Sequence, residues 1–207
     1  MVLLLAVIAG LLAGAARAWI KKRNYQPIQL RHIWLIVIAF LPQWLAFFLP
    51  VTRRFIPSWL ASLFLILSLV LMLIFVLLNL NTNWLGFLIL GFGLALNLLV
   101  ITSNGGLMPI SPENAVRIAP QFPAESRKSG SRFGKTKDVI LATEETNFLP
   151  LSDCFISPDW LHYRFVFSLG DILVAIGIFW VLWEPGGGDL VADHSSRTKN
   201  LIHKPGS

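Results

Sequence analysis

Five long apolar stretches constrain this chain more than any other feature of its sequence. A helix needs about 20 apolar residues to cross roughly 30 Å of hydrocarbon, because its backbone polar groups must all be satisfied within the segment. The sequence therefore predicts an all-α integral membrane bundle of five transmembrane helices with one long extramembrane loop. The predicted spans are approximately residues 2–20, 33–50, 59–78, 84–103 and 165–183, the loop is 104–164, and together they form one membrane domain, 1–183.

The distribution of charge supports a membrane location. Of all residues 55 % are hydrophobic and 14 % charged, which is unlike an ordinary water-soluble domain. Residues 1–103 contain seven basic and no acidic residues, whereas residues 104–164 contain seven of each. Because bilayers bias Lys and Arg toward the cytoplasmic face, the net charge of +6 indicates membrane topology rather than a surface that binds phosphates. We expect the lipid bilayer as a partner and no nucleic acid.

Basic residues near the first span predict the orientation. Residues 21–32 together with Arg17 carry five basic residues, against two, Arg53 and Arg54, in the next short loop. The positive-inside rule then places loop 21–32 and the C-terminus in the cytoplasm and loop 104–164 outside a cell membrane.

Signatures of a reactive site are sparse. Cys154 is the single cysteine, which excludes an intramolecular disulfide and a thiolate metal cluster. The four histidines, at positions 32, 162, 194 and 203, show no ligand spacing. The sequence therefore predicts no metal, no cofactor and no assigned catalytic residue.

Small residues predict close helix packing. Gly10 and Gly14 form a GxxxG motif in the first span, a pattern that lets a second helix approach closely. The partner is a helix of this chain, another protein or a second copy, and the alternative is a loosely packed span. Gly86 and Gly93 mark a similar packing face on the fourth span.

The polar residues of the spans allow two interpretations. Asp171 is the one fully ionisable side chain within them and needs a partner or a proton. Asn97 lies six residues before the end of the fourth span and Asp171 six residues after the start of the fifth, so both lie about 9 Å below one surface. Either the two side chains form a hydrogen bond that fixes packing, or they line an outward-opening pocket for a substrate, ion or lipid headgroup. The binding residues of that hypothesis are Asp171, Asn97, Gln43, Ser168 and Asn104, with Arg164, Arg53 or Arg54 at the rim.

The sequence also indicates local structure outside the helices. Asn104, Gly105 and Gly106 are suited to end a helix, and Ser111 with Pro112 to begin a short one that reaches about Ile118. Proline inside the second span, at position 42, predicts a kink. We expect residues 121–137 to form a flexible solvated loop, 139–159 an irregular cap and 184–207 a disordered tail.

Two motifs carry a resemblance to a known family. Asn104-Gly105-Gly106-Leu107-Met108-Pro109 follows the fourth span, and Phe167-Ser168-Leu169-Gly170-Asp171 opens the fifth. In this order they resemble a bacterial family of multi-pass membrane proteins that is catalogued only as a domain of unknown function. The resemblance implies a bacterial membrane location and brings both motifs to the same end of the bundle, but it implies no activity.

Three functional hypotheses follow. The first is a structural or assembly component of the membrane, with a possible protein partner or second copy on the Gly10 and Gly14 face. The second is binding or transport of a small molecule, ion or lipid at the polar site around Asp171. The third is a membrane enzyme that uses Asp153, Asp159 or Asp171 with His162, which lacks an accompanying nucleophile or metal-ligand spacing.

Overall fold

A computed structural model describes a helical bundle that carries a small mixed cap at one end. The described residues are 2–22, 24–25, 28–53, 55–123, 128–158, 160–161 and 164–184. The helices are α1 (Val2–Ile20), α2 (Trp34–Gln43), α3 (Pro50–Arg53), α4 (Ser58–Asn79), α5 (Trp84–Ser103), α6 (Pro112–Ile118) and α7 (Leu169–Trp183). The strands are β1 (Met108–Ile110), β2 (Asp138–Ile140), β3 (Phe155–Ile156) and β4 (Val166–Phe167).

The long helices pack in the lateral order α1, α7, α5, α4 and α2. The interior is apolar and is centred on α4 and α5, where Leu65, Phe75, Phe87 and Val100 are buried. Leucine, valine and phenylalanine side chains on the outer faces are exposed, as expected for helices surrounded by hydrocarbon.

Polar contacts join the loops at the end of the bundle opposite the cap. Asn79 accepts a hydrogen bond from the amide of Arg31 at 2.7 Å and donates to its carbonyl at 3.0 Å. The hydroxyl of Tyr25 donates to the carbonyl of Leu182 at 2.8 Å. The sequence between α1 and α2 is thereby held against both α4 and α7.

Three of the five predicted spans are matched by helices long and apolar enough to cross a membrane, namely α1, α4 and α5. Helices α1 and α5 agree with the predicted bounds at both ends, and α4 exceeds them by one residue at each end. The other two apolar helices, Trp34–Phe48 and Leu169–Trp183, are shorter. A helix the length of α7, 15 residues, extends about 22 Å, which is less than the usual hydrocarbon thickness.

The second predicted span changes helix type after its proline. Pro42 lies inside α2, and the next five residues, Trp44–Phe48, form a π-helical turn. The amide of Leu49 donates to the carbonyl of Trp44 at 3.0 Å, the five-residue spacing of a π-helix. The irregularity expected at Pro42 therefore takes the form of a wider turn.

The fifth predicted span begins later than expected. Residues Val166–Phe167 are extended and pair with Phe155–Ile156 in an antiparallel ladder, and the helix begins only at Leu169. Apolar composition cannot distinguish a strand that enters a cap from the first turn of a span, so the predicted start at residue 165 was four residues early.

The all-α prediction holds for the bundle and is incomplete for the cap. Strands β1 and β2 pair in parallel, with Pro109 opposite Val139. The cap has its own small core, in which Ile110, Ala115, Phe133 and Ile140 are buried. As predicted, Ser111 caps α6, since its hydroxyl accepts a hydrogen bond from the amide of Asn114.

The prediction of a flexible loop over 121–137 is wrong for most of that segment. Residues 128–140 fold back as a hairpin. The amide of Gly130 donates to the carbonyl of Ile140 at 2.8 Å, and the amide of Ile140 donates to the carbonyl of Ser131 at 2.9 Å. Phe133, Val139 and Ile140 of this hairpin are buried, and their burial favours an ordered segment. Residues 124–127 and the predicted disordered tail from residue 185 lie outside the described residues.

The small residues singled out in the sequence lie where α7 meets its neighbours. A Cβ placed on Gly10 would lie 3.0 Å from Cβ of Leu182, and one on Gly14 would lie 2.8 Å from the carbonyl oxygen of Leu182. On α5, Gly86 and Gly93 also face α7. The Gly10 and Gly14 face is therefore occupied by a helix of the same chain, the first of the alternatives considered above.

Substitution of Gly93 should weaken the bundle. A Cβ there would lie 2.7 Å from both the carbonyl oxygen of Gly170 and the amide nitrogen of Val174, which are backbone atoms that cannot rotate away. We expect Gly93→Ala to lower the free energy of unfolding by about 1–3 kcal/mol. The control is Ala95→Val, which adds bulk to the exposed side of the same helix and should change stability by less than about 0.5 kcal/mol. Thermal unfolding in one detergent measures both, and equal losses would contradict the packing assignment.

Candidate functional site

The first turn of α7 is built around a capping box. Ser168 precedes the helix in extended conformation, and its hydroxyl accepts a hydrogen bond from the amide of Asp171 at 3.0 Å. The carboxylate of Asp171 in return accepts from the amide of Ser168 at 3.2 Å. A Ser followed three residues later by an acidic side chain is a known signal for this arrangement, and the carboxylate also favours the positive end of the helix dipole.

Asn97 of α5 joins this capping box from the neighbouring helix. Its amide nitrogen donates to Oδ1 of Asp171 at 3.0 Å, and its carbonyl oxygen accepts from the hydroxyl of Ser168 at 2.9 Å. The predicted contact between Asn97 and Asp171 is thus present. We call these three residues the cap network; Ser168 is fully buried and Asn97 is 8 % exposed.

The surroundings of the cap network are closely packed. Gly93 and Gly170 bring the backbones of α5 and α7 together beside it, and a side chain on either would overlap the facing helix. Gln43, expected in the same polar pocket, instead donates to the hydroxyl of Ser68 on α4 at 2.8 Å. That hydroxyl donates in turn to the carbonyl of Ala39. Gln43 therefore links α2 to α4, in a separate contact from Asn97 and Asp171.

Asn104 ties the end of α5 to the cap. Its side-chain nitrogen donates to the carbonyls of Val100 at 2.7 Å and of Asn147 at 3.0 Å, and its oxygen accepts from the amide of Asn147 at 2.9 Å. The two following glycines, Gly105 and Gly106, have φ of 77° and 89°, which L side chains rarely adopt. This confirms the predicted helix ending and shows Asn104 as a bridge between two segments.

The remaining predicted rim residues are dispersed. Arg164 is exposed and donates to the carbonyl of Arg117 at 3.4 Å. Arg54, Asp159 and His162 lie outside the described residues, and of Arg53 only the backbone is described.

A second polar group lies in the cap, and sequence reasoning largely missed it. Lys137 places its ammonium 2.6 Å from Oδ2 of Asp153 and 3.1 Å from Oδ1 of Asp138. We call these three residues the charge cluster. Asp153 is fully buried, and its Oδ1 has no hydrogen-bond partner within the described part of the chain. A buried carboxylate oxygen without a donor is costly, so the cluster requires a functional or structural reason.

Burial and charge shift the protonation equilibria of the cluster. Burial raises the pKa of Asp153 to about 7, although the adjacent ammonium of Lys137 acts to lower it. Burial also acts to lower the pKa of Lys137, but Asp138 and Asp153 outweigh it and hold that pKa well above its usual value. The charge of Asp171 contributes to both shifts, so the cap network and the charge cluster are electrostatic neighbours.

The charge cluster borders a cavity of about 610 Å³ in the cap. The cavity lies between the end of α6, the 128–140 hairpin and strand β4. Its polar wall includes Arg117, Lys137 and Asp153, and its apolar wall includes Phe133, Phe165 and Val166. Sites for small organic ligands have volumes of roughly 300–1,000 Å³ and combine apolar walls with a few polar groups. This cavity has a similar volume and a similar lining, and it is open to solvent.

The sequence contains only a weak signal for the charge cluster. Lys137 and Asp138 immediately precede the apolar run Val139-Ile140-Leu141, so a charged pair enters a buried strand. Asp153 was recognised as part of the cap, but its partner lies 16 residues earlier in a segment predicted to be solvated. Among the described residues, no group of three His, Cys, Asp or Glu side chains is placed to hold a metal ion.

The raised pKa of Asp153 should make stability pH-dependent. The folded protein binds a proton at Asp153 more tightly than the unfolded chain, whose carboxyl has its ordinary pKa near 4. The stability from this group is therefore fully present below about pH 4 and is lost as the pH rises through about 7, by up to roughly 4 kcal/mol.

Asp153→Asn tests this assignment. We expect the wild-type Tm to fall between pH 5 and pH 8 and the fall to be smaller in Asp153→Asn, because the amide does not titrate. Glu144→Gln, which removes an exposed carboxylate of the same cap, serves as the control and should keep the wild-type slope. Identical slopes in wild type and Asp153→Asn would contradict a shifted Asp153.

Comparisons with known proteins identify the family and leave its role open. No curated protein and no solved structure matches the chain. One family matches residues 27–183, described as "Family of unknown function (DUF5317)". The matched region begins after α1 and includes the cap network and the charge cluster. The resemblance drawn from the sequence motifs is therefore confirmed at the level of the family, and the chain belongs to DUF5317, a family of unknown function.

Proposed function

We propose that the protein is a five-span integral membrane protein with a structural or assembly role, in which the bundle anchors a folded cap at the outer face of a bacterial cell membrane. One observation carries this proposal: Asp171, the single carboxylate of the predicted spans, uses one oxygen to cap α7 and the other to bind Asn97. A membrane carboxylate held in this way serves to fix helix packing.

The exposed faces of the helices support membrane insertion. Large apolar side chains on α1, α2 and α4 are more than 60 % exposed, including Leu12, Val37 and Leu77. Surfaces of this kind are unfavourable in water and suited to hydrocarbon. The two shorter apolar helices serve as spans if the bilayer thins locally or if the adjacent apolar residues complete the crossing.

Loop 21–32 supplies the argument for orientation. With Arg17 it concentrates basic residues at the end of the bundle where Asn79 and Tyr25 make their contacts, opposite the cap. Under the positive-inside rule that end faces the cytoplasm and the cap faces outward.

The alternative, binding or transport at an intramembrane site around Asp171, has less support. It requires Gln43, Asn97 and Asp171 to line a common open pocket, whereas Gln43 binds Ser68 and the α5–α7 contact is closely packed. Among the described residues, no observation favours a different binding site inside the spans.

The native cysteine tests the orientation of the cap relative to the membrane. Cys154 is exposed in the cap, and burial of its surroundings raises the pKa of the thiol, so labelling is best done near pH 8. We expect a membrane-impermeant maleimide to label Cys154 in intact cells.

The matched control moves the thiol to the other end of the bundle. The variant Cys154→Ser with Asn81→Cys places it in the exposed turn after α4, and it should react only after the membrane is opened. The reverse pattern would contradict the orientation, and labelling of both sites from outside would contradict the membrane arrangement.

The structural role is tested by what copurifies with the protein. We expect a protein partner to be retained in native nanodiscs, and retained equally by wild type and Asp171→Asn, because the substitution alters a partly buried contact between α5 and α7 and keeps the shape of the side chain. Mass spectrometry of both preparations is the measurement. A small molecule that is present in wild type and absent from Asp171→Asn would overturn this proposal in favour of a site at Asp171.

A further inference from the structure

The cap cavity contains unmatched hydrogen-bonding capacity at one side. Oδ2 of Asp153 accepts from Lys137, and Oδ1 of Asp138 lies 3.1 Å from the same ammonium, whereas Oδ1 of Asp153 accepts no hydrogen bond within the described part of the chain. The charge cluster has two carboxylates and one ammonium, and the nearby guanidinium of Arg132 interacts electrostatically with Asp138. One further cationic donor would satisfy the orphaned oxygen of Asp153.

The rim of the same cavity offers the opposite charge. Arg117, at the end of α6, is exposed and makes no ion pair within the described part of the chain. The hydrogen bond from Arg164 to the carbonyl of Arg117 holds a second guanidinium-bearing residue next to it. A guanidinium binds a carboxylate through two parallel hydrogen bonds, which fixes both position and orientation.

Aromatic and aliphatic side chains also line the cavity. Phe133 and Phe165 line the cavity together with Val166 and Ile118. A ligand with only two charged ends would leave this surface in contact with water, whereas an apolar side chain would bury it.

We propose that the cap cavity binds a small zwitterion of the amino-acid class with an apolar side chain. Its ammonium donates to the carboxylate of Asp153, its carboxylate binds Arg117, and its side chain lies against Phe133 and Phe165. This site is distinct from the cap network, and it goes beyond the structural role proposed above, since a scaffold requires no such cavity.

Binding is measured by calorimetry on the full-length protein in nanodiscs at pH 7.5. The probes are L-leucine and L-phenylalanine, together with two analogues that each keep one charged end of phenylalanine, 2-phenylethylamine and 3-phenylpropanoate. We expect saturable binding of at least one amino acid and at least tenfold weaker binding of both analogues. Equal binding of the amine or of the carboxylate alone would overturn the assignment of a zwitterion, and the absence of binding by both amino acids would overturn the site.

Variants separate the site from general stability. Arg117→Gln removes an exposed guanidinium and should weaken amino-acid binding tenfold or more without a change in Tm, whereas Lys135→Gln, on an exposed residue of the nearby hairpin, should leave binding unchanged. Asp153→Asn should also weaken binding, and its Tm is recorded in parallel. Unaltered affinity in Arg117→Gln would contradict the proposal. Native mass spectrometry provides a second check. A phospholipid that stays bound to the protein when the amino acids are added would also contradict the proposal.

Discussion

The architecture depends on how the chain passes from an extended strand to the partly buried first turn of α7. The first amides of a helix have no partner within it, and in a dry interface an unpaired amide is costly. Ser168 and Asp171 satisfy this requirement reciprocally, and Asn97 extends the same hydrogen bonds to α5. Because glycines let α5 and α7 approach closely at this level, one set of contacts fixes both the start of the last helix and its position in the bundle.

The cap is held above this junction by contacts of a different kind. Asn104 and Asn147 exchange hydrogen bonds where α5 ends, and Arg132 of the hairpin lies over the ring of Phe47, 5.1 Å from its centroid. These contacts fix the position of the hairpin. Lys137 of the hairpin is thereby held beside the fully buried Asp153, and the charge cluster forms. Burial of such a pair contributes little to net stability by itself. The orphaned oxygen of Asp153 beside an open cavity is the observation on which the proposed binding site rests.

Sequence reasoning succeeded where periodicity and depth decide the outcome. The bounds of α1 and α5 follow from apolar length, and the contact of Asn97 with Asp171 follows from counting residues from one membrane surface. It failed where distant segments meet. The parallel pairing of Met108–Ile110 with Asp138–Ile140 joins strands of three residues, too short for a pattern, and the ordering of the 128–140 hairpin depends on the burial of Phe133. Lys137 was therefore assigned to solvent, although its partner is buried.

Asp171 acts through Asn97 to fix the packing of α7 against α5. A double-mutant cycle with Asn97→Ala, Asp171→Ala and the combined variant measures this interaction directly, with the free energy of unfolding determined in one detergent. We expect a coupling energy of about 1 kcal/mol, so that the double variant loses less stability than the sum of the single variants. Strictly additive losses would show that the two side chains do not interact energetically and would contradict a packing role for Asp171.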